Sequence, residues 1–219
     1  KAVSAALKCP VNSVFMASTG VIGEKLNHKK IITKIPKMAD KLREGRWNKA
    51  ATAITTTDTF PKGASEVAFI GNKKIRIAGI AKGSGMIAPD MATMLSFIFT
   101  DANISSDILQ TLLSRNVQNT FNAITVDSDA STSDTLLLFA TGAAKSMVPM
   151  SADDPILKDF ESALQSVMLN LAKQIVCDGE GAQKLIQVDV TGATSKKSAH
   201  KIGLAIANSP LVKTAIAGG

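Results

Sequence analysis

Ser65-Glu66-Val67-Ala68-Phe69-Ile70-Gly71-Asn72-Lys73-Lys74-Ile75-Arg76-Ile77-Ala78-Gly79-Ile80 is the stretch on which the fold turns. Two β-rich runs, Ser65 to Ile70 and Lys73 to Ile80, flank Gly71-Asn72, a pair that tolerates the positive φ angles of a two-residue hairpin turn. Downstream, Lys82-Gly83-Ser84-Gly85-Met86-Ile87-Ala88-Pro89-Asp90-Met91-Ala92 reads as a loop by its glycines and proline, and it feeds straight into an apolar strand from Thr93 to Thr100. Helical periodicity follows. Ser105-Ser106-Asp107 caps a helix with Ile108, Leu109, Leu112, Leu113 and Val117 on one face. Asp154-Pro155 opens another, with Phe160, Leu164, Val167, Met168, Leu171 and Ile175 along one stripe. Leu185 to Val190 alternates as a strand, and Ser195 to Asn208 reads as a full helix. Upstream, Lys1 to Leu7 reads as helix and Val11 to Ser18 as a buried strand broken by Thr19-Gly20. Lys29 to Glu44 reads as a basic amphipathic helix, interrupted at Pro36 and ended by Gly45. Strands and helices interleave around a tight hairpin, which predicts an α/β fold with a mixed sheet.

With 219 residues, 45% of them hydrophobic and 20% charged, the chain has ample material for a buried core, and it shows no repeats or low-complexity tracts. Its formal net charge of +7 fits nucleic acid, an anionic surface or small acidic metabolites. Aromatic residues make up only 4%, with no tyrosine, which weighs against a single-strand platform that stacks bases on exposed rings. In Lys37-Met38-Ala39-Asp40-Lys41-Leu42-Arg43-Glu44 the bases alternate with acids, as on a solvated helix face. A polyanion-binding module without catalysis stays a rival reading, and it predicts salt-sensitive binding. Cys9 and Cys177 lie far apart without ligand spacing, so buried reduced thiols are expected rather than a disulfide or a zinc site. No run of about 18 apolar residues and no signal-peptide layout is present, so a soluble, cytoplasmic protein with no membrane partner is expected. Both ends read as cuts through a longer chain.

His28 and His200 are the only histidines, and neither has an acidic or cysteine neighbour at useful spacing, so nothing supports a Ser-His-Asp engine. The glycine-rich loop lacks both the GxxxxGK[ST] and the strand-GxGxxG-helix order of nucleotide-binding loops. Its exit is more informative: Thr93 stands at the border between the loop and a buried strand. A hydroxyl so placed can attack the preceding carbonyl. If the Ala92–Thr93 bond breaks by an N→O acyl shift, Thr93 becomes a new N-terminus whose α-amine serves as the general base that histidine otherwise provides. A threonine that merely opens a strand accounts for the spacing equally well.

Lys82 through Leu95 closely resembles the self-cleavage segment of the ornithine acetyltransferase (glutamate N-acetyltransferase) family of arginine biosynthesis, which cuts between the Ala and the Thr. Ser18-Thr19-Gly20-Val21-Ile22-Gly23 resembles the family's oxyanion-hole segment and Thr55-Thr56-Thr57-Asp58-Thr59 its TTDT loop. Asp178-Gly179-Glu180-Gly181-Ala182 resembles its DGEGA motif and Ser209-Pro210-Leu211-Val212-Lys213-Thr214-Ala215 its SPLVKTA segment. Thr125-Val126-Asp127-Ser128-Asp129 through Asp134-Thr135 is similar to a further family stretch, with Ser133 where the family has Asn.

The resemblance implies Thr93 as nucleophile, Ala92–Thr93 as the cleavage site, Thr19 and Gly20 as the oxyanion hole, and Thr56, Lys82 and Glu180 as contacts to the substrate amino acid. It implies a layered helix-sheet-sheet-helix sandwich similar in arrangement to N-terminal nucleophile hydrolases. Residues 1–92 would be the end of an α piece and 93–219 the beginning of a β piece, assembled as a heterotetramer. The implied reaction moves an acetyl group from N-acetylornithine to glutamate through an acetyl-threonine, with no metal or organic cofactor and no nucleic-acid partner. Acetyl-CoA is an acetyl donor for some members. A self-processed aminopeptidase or amidohydrolase of related fold is the alternative within enzymes.

Overall fold

A computed structural model of the chain describes residues 1–87 and 94–219. Two compact units are distinguished, Lys1–Trp47 and Asn48–Gly219.

In the first unit, α1 (Ala2–Leu7) packs against α3 (Ile35–Ala39), with a 3-10 turn at Val11–Ser13 and α2 (His28–Ile32) between them. None of these 47 residues is buried. The expected strand over Val11 to Ser18 does not form. A strand needs a ladder partner, and the described residues of this unit hold no other strand to provide one; Phe15 and Met16 stay exposed. The helix expected from Lys29 to Glu44, interrupted at Pro36, is two short ones that end at Ala39, with the break ahead of the proline. Asn27 caps α2 by accepting the Lys30 N–H, the chain breaks at Thr33-Lys34, and Pro36 sits in the first turn of α3, where its missing N–H costs nothing. Ten of the chain's Lys and Arg and three of its Asp and Glu fall in residues 1–47, so the second unit, with fifteen of each, is neutral.

The second unit, entered through α4 (Trp47–Ala53), is built on one mixed sheet: β1 (Lys62–Ile70), β2 (Lys73–Lys82), β3 (Leu95–Thr100) and β4 (Thr135–Ala140), in the order β1-β2-β3-β4. β1 and β2 form the expected hairpin in a register that pairs Ile70 with Lys73 and Lys62 with Ala81, and β3 is antiparallel to β2. β4 runs parallel to β3, reached through α5 (Ser106–Val117) as crossover. The long helix α6 (Lys158–Cys177) covers one face with Phe160, Leu164, Val167, Met168, Leu171, Ala172 and Ile175, all buried. Each of these side chains larger than alanine contributes about 1.5–3 kcal/mol. Asp154 caps the 3-10 turn Pro155–Leu157 that leads into α6 by accepting the Ile156 N–H. At Gly79 the helix comes so close that a Cβ would stand 2.9 Å from the Leu171 side chain. β1 is an edge strand, and α6 satisfies part of its free backbone: Gln174 bonds both the N–H and the C=O of Gly63, and Asp159 accepts the Phe69 N–H at 2.6 Å.

The opposite face carries Val67, Phe69 and the stacked pair Phe99–Phe139, with centroids 5.0 Å apart. The described strands form this one sheet only, not the two of the expected sandwich. Leu185 to Val190 is irregular, not a strand. Ile186, Val188 and Val190 are half-buried and the residues between them exposed, so the alternation is real, but no backbone partner lies alongside. The last helices are α7 (Lys196–Ala207), capped by Ser195, and α8 (Pro210–Gly218), capped by Ser209. The cysteines are free but not buried: Cys177, exposed at the end of α6, lies off the apolar stripe, and Cys9 is half-buried. Among the described residues no helix is long and apolar enough to cross a membrane.

Candidate active site

One end of the sheet collects the C-terminus of β2, the N-termini of β1, β3 and β4, and the C-terminus of α6. The loop before β1, the Gly83-Ser84-Gly85 turn after β2 and the Asp178-Gly179-Glu180 turn after α6 therefore meet. Because Lys62 pairs with Ala81, Lys82 lies one residue further along, and strand alternation points the two lysines to opposite faces.

On the α6 face, the Lys62 ammonium is fully buried between Asp58 Oδ1 at 2.6 Å and Asp178 Oδ2 at 2.5 Å, and lies 4.8 Å from the centre of the Phe60 ring. Asp58 also accepts the Gly83 N–H at 2.7 Å and the Thr56 N–H at 3.1 Å. Asp178 also accepts the backbone N–H and the hydroxyl of Thr59. Burial works to raise both carboxyl pKa values, but these donors and the Lys62 charge outweigh it, and both lie below the usual carboxylate range.

On the other face, Lys82 is buried and donates to Thr56 Oγ1 at 2.8 Å. Burial pushes its pKa down; Asp58 and Asp134 act against that, while the Lys62 charge adds to it. Asp134, at the entry to β4, accepts the Met94 N–H at 2.7 Å. Burial raises its pKa to about 7, against the Met94 N–H and the Lys82 charge. Beyond Lys82, the Ser84 hydroxyl lies 2.6 Å from that of Thr57, and the Ser84 carbonyl accepts the Glu180 N–H at 2.8 Å. The Glu180 carboxylate rests against Gly85, where a Cβ would stand 2.8 Å from Oε1; any larger residue displaces it.

Asp127 accepts the N–H groups of Met86 (2.5 Å) and Ile87 (2.9 Å), and Met86 holds a φ of 56°, unusual without glycine. The stretch from Thr125 to Thr135 thus fixes both Ile87 and Met94. Ala92 and Thr93, the expected cleavage site and nucleophile, lie outside the described residues. Thr56 and Lys82 are bonded to each other here, and Glu180 lies against the Ser84-Gly85 turn that follows Lys82. Thr19 and Gly20 belong to the first unit, in an irregular stretch where Thr19 is half-buried and Gly20 exposed. Of the histidines, His28 is exposed, while His200 is half-buried with Nε2 2.8 Å from the Asn122 carbonyl oxygen.

Sequence reading did not single out Asp58, Lys62, Asp127, Asp134 or Asp178 as functional. Four of the five lie inside the quoted motifs. Lys62 has one local signal, its position four residues after Asp58, whereas its bond to Asp178 spans 116 residues.

The ArgJ family model matches residues 1–219. The arginine biosynthesis bifunctional protein ArgJ of Bartonella quintana (strain Toulouse) is 58% identical over 219 residues, covering 99% of this chain and 53% of that protein. Its namesake in Brucella suis biovar 1 (strain 1330) is 56% identical, covering 100% and 54%. The crystal structure of arginine biosynthesis bifunctional protein argJ from Bacillus halodurans shares 47% identity, with a TM-score of 0.52, over 54% of this chain and 55% of that one. The chain spans about half the length of the curated relatives it matches. A match from the first residue to the last, carried at well over half identity, leaves one conclusion: the chain belongs to the ArgJ family.

Proposed function

We propose that this chain is part of an arginine-biosynthesis acetyltransferase that passes an acetyl group from N-acetylornithine to glutamate through Thr93. What carries the reading is that Thr56, Lys82 and Glu180, from three separate motifs, all lie at the sheet end that holds Met94, the residue after Thr93. A buried ammonium beside a hydroxyl suits a carboxylate, and an exposed carboxylate over a glycine suits an ammonium. The carboxylate is common to N-acetylornithine and glutamate; the ammonium is the δ-ammonium of N-acetylornithine, whose α-nitrogen carries the acetyl group, or the α-ammonium of glutamate.

Thr93 first attacks the Ala92 carbonyl: the new ester C–O bond replaces the C–N bond, the hydroxyl proton passes to the freed amine, and water hydrolyses the ester. The amine then takes the hydroxyl proton as Thr93 attacks the acetyl group of N-acetylornithine. Ornithine leaves, and glutamate collects the acetyl. Thr19 and Gly20 donate to the oxyanion of each tetrahedral intermediate. The cycle needs no metal or organic cofactor; acetyl-CoA is a second donor of the right chemistry. Residues 1–92 and 93–219 belong to separate pieces after the cut, and β2 paired with β3 across the junction holds them together, within a heterotetramer. The reading takes the arrangement to be that of N-terminal nucleophile hydrolases, and the place of action to be the cytoplasm.

N-terminal sequencing of the complete gene product tests this. Two pieces are expected, the second beginning at Thr93; Thr93→Ala should remain one inactive chain, and Thr93→Ser should retain part of both activities. A second piece beginning elsewhere removes Thr93 as nucleophile.

A further inference from the structure

Lys62 touches nothing in the proposed reaction, yet it is a fully buried cation whose two carboxylate partners belong to two of the three motifs that present the substrate contacts. Asp58, through its other bonds, fixes the backbone of Thr56 and of Gly83, the residue after Lys82. Asp178 stands two residues before Glu180, whose N–H is bonded to Ser84 in the same turn that Gly83 begins. The Thr56–Lys82 side of the site is therefore tied to the Glu180 side in two ways, through the Ser84–Glu180 backbone bond and through this one ammonium. A fold needing only burial at this place is served as well by apolar residues at all three positions, because desolvating three charges offsets most of what their attraction provides.

We propose that Lys62, with Asp58 and Asp178, is a positioning residue that sets the distance between the carboxylate-binding and ammonium-binding ends of the substrate site. The proposal rests on the acetyl-transfer reading. Each substrate brings a carboxylate and an ammonium, the δ one in N-acetylornithine and the α one in glutamate, so a change in that distance moves both KM values. It leaves cleavage at Ala92–Thr93, which binds no free amino acid, near its original rate.

The test uses the complete gene product with Lys62→Met, Lys62→Arg and Asp178→Asn. Steady-state kinetics for both substrates, the extent of cleavage by intact mass, and the melting temperature are measured on each. Lys62→Met should raise both KM values about tenfold or more with kcat within about threefold, the loss expected when a charged hydrogen-bonded network is cut. Lys62→Arg, which keeps a cation between the carboxylates, should bring both KM values back toward the wild type. If Lys62→Met does not fold, Asp178→Asn decides: it keeps shape and the Asp58–Lys62 pair, and should raise both KM values several-fold. A lowered melting temperature with both KM values unchanged would overturn the proposal and leave the bridge as a brace for the fold. Wild-type protein that cleaves and folds but transfers no acetyl group would overturn the acetyl-transfer reading, and the proposal with it.

Discussion

Two buried lysines stand one register step apart at the same end of the sheet, on opposite faces, and their surroundings are built differently. Lys62 is closed in by two carboxylates. Lys82 is buried too, but among the described residues it has a single hydroxyl within bonding distance, and the described carboxyls nearest it act on it only through space. A cation with every partner supplied is a strut. One that is desolvated and under-supplied has capacity left for an anion from outside. The electrostatics follow the same division: the carboxyls around Lys62 are held ionised, while Asp134, near Lys82, is held toward its neutral form.

The largest effect should come from removing the closed cation. Lys62→Met leaves Asp58 and Asp178 facing each other without a counter-charge and should cost about 3–5 kcal/mol. Urea unfolding would show it as a lower midpoint at unchanged slope. A cost under about 1 kcal/mol would erase the distinction between the lysines.

Lys82→Met should do the reverse. Stability should stay within about 1 kcal/mol, since the lost charge was poorly compensated, while kcat/KM for acetyl transfer should fall about thirty- to a hundredfold, the range of one charged hydrogen bond. Unfolding curves and kinetics on the same preparation separate the two. Glu180→Gln should lower transfer about tenfold and leave cleavage at Ala92 intact, as read by intact mass beside the kinetics. Unchanged kinetics for both substrates would return Glu180 to the role of a turn residue.

The smallest effect is a pH dependence of opposite sign on the two faces. The folded-state pKa of Asp134 lies at about 7, above its ordinary 3.8, so its contribution to stability is fully present below 3.8 and is lost as pH rises through about 7. Asp58 and Asp178 are shifted downward; their contribution is present above the ordinary carboxylate range and is lost on acidification below it. Asp134→Asn should therefore flatten the melting temperature between pH 4 and 7. Solvent screening keeps the change to about 1 kcal/mol, or about 2–4 °C.

What the sequence made legible was local. Gly71-Asn72 announces its hairpin, the Phe160-to-Ile175 stripe announces α6, and Asp154 and Ser195 announce their helix starts, because each signal lies within a few residues of what it specifies. β4 was not read, since a parallel strand is defined by a partner 40 residues away. Val11–Ser18 and Leu185–Val190 carried strand-like patterns without a ladder, and pattern alone makes no hydrogen bonds. In the site, the motifs held Thr56, Lys82 and Glu180, and the geometry joined them. The joint itself, Lys62 between Asp58 and Asp178, is local only on its Asp58 side; the bond to Asp178 spans 116 residues, and no spacing encodes it.

Thr93 as acetyl carrier is tested most directly by giving the cut enzyme N-acetylornithine alone, without glutamate, and weighing the second piece. It should gain one acetyl group, located at Thr93 by peptide mapping, and added labelled ornithine should return as labelled N-acetylornithine. Steady release of free acetate, with no acetyl on Thr93 and no exchange into ornithine, would contradict the transferase and leave a hydrolase in its place.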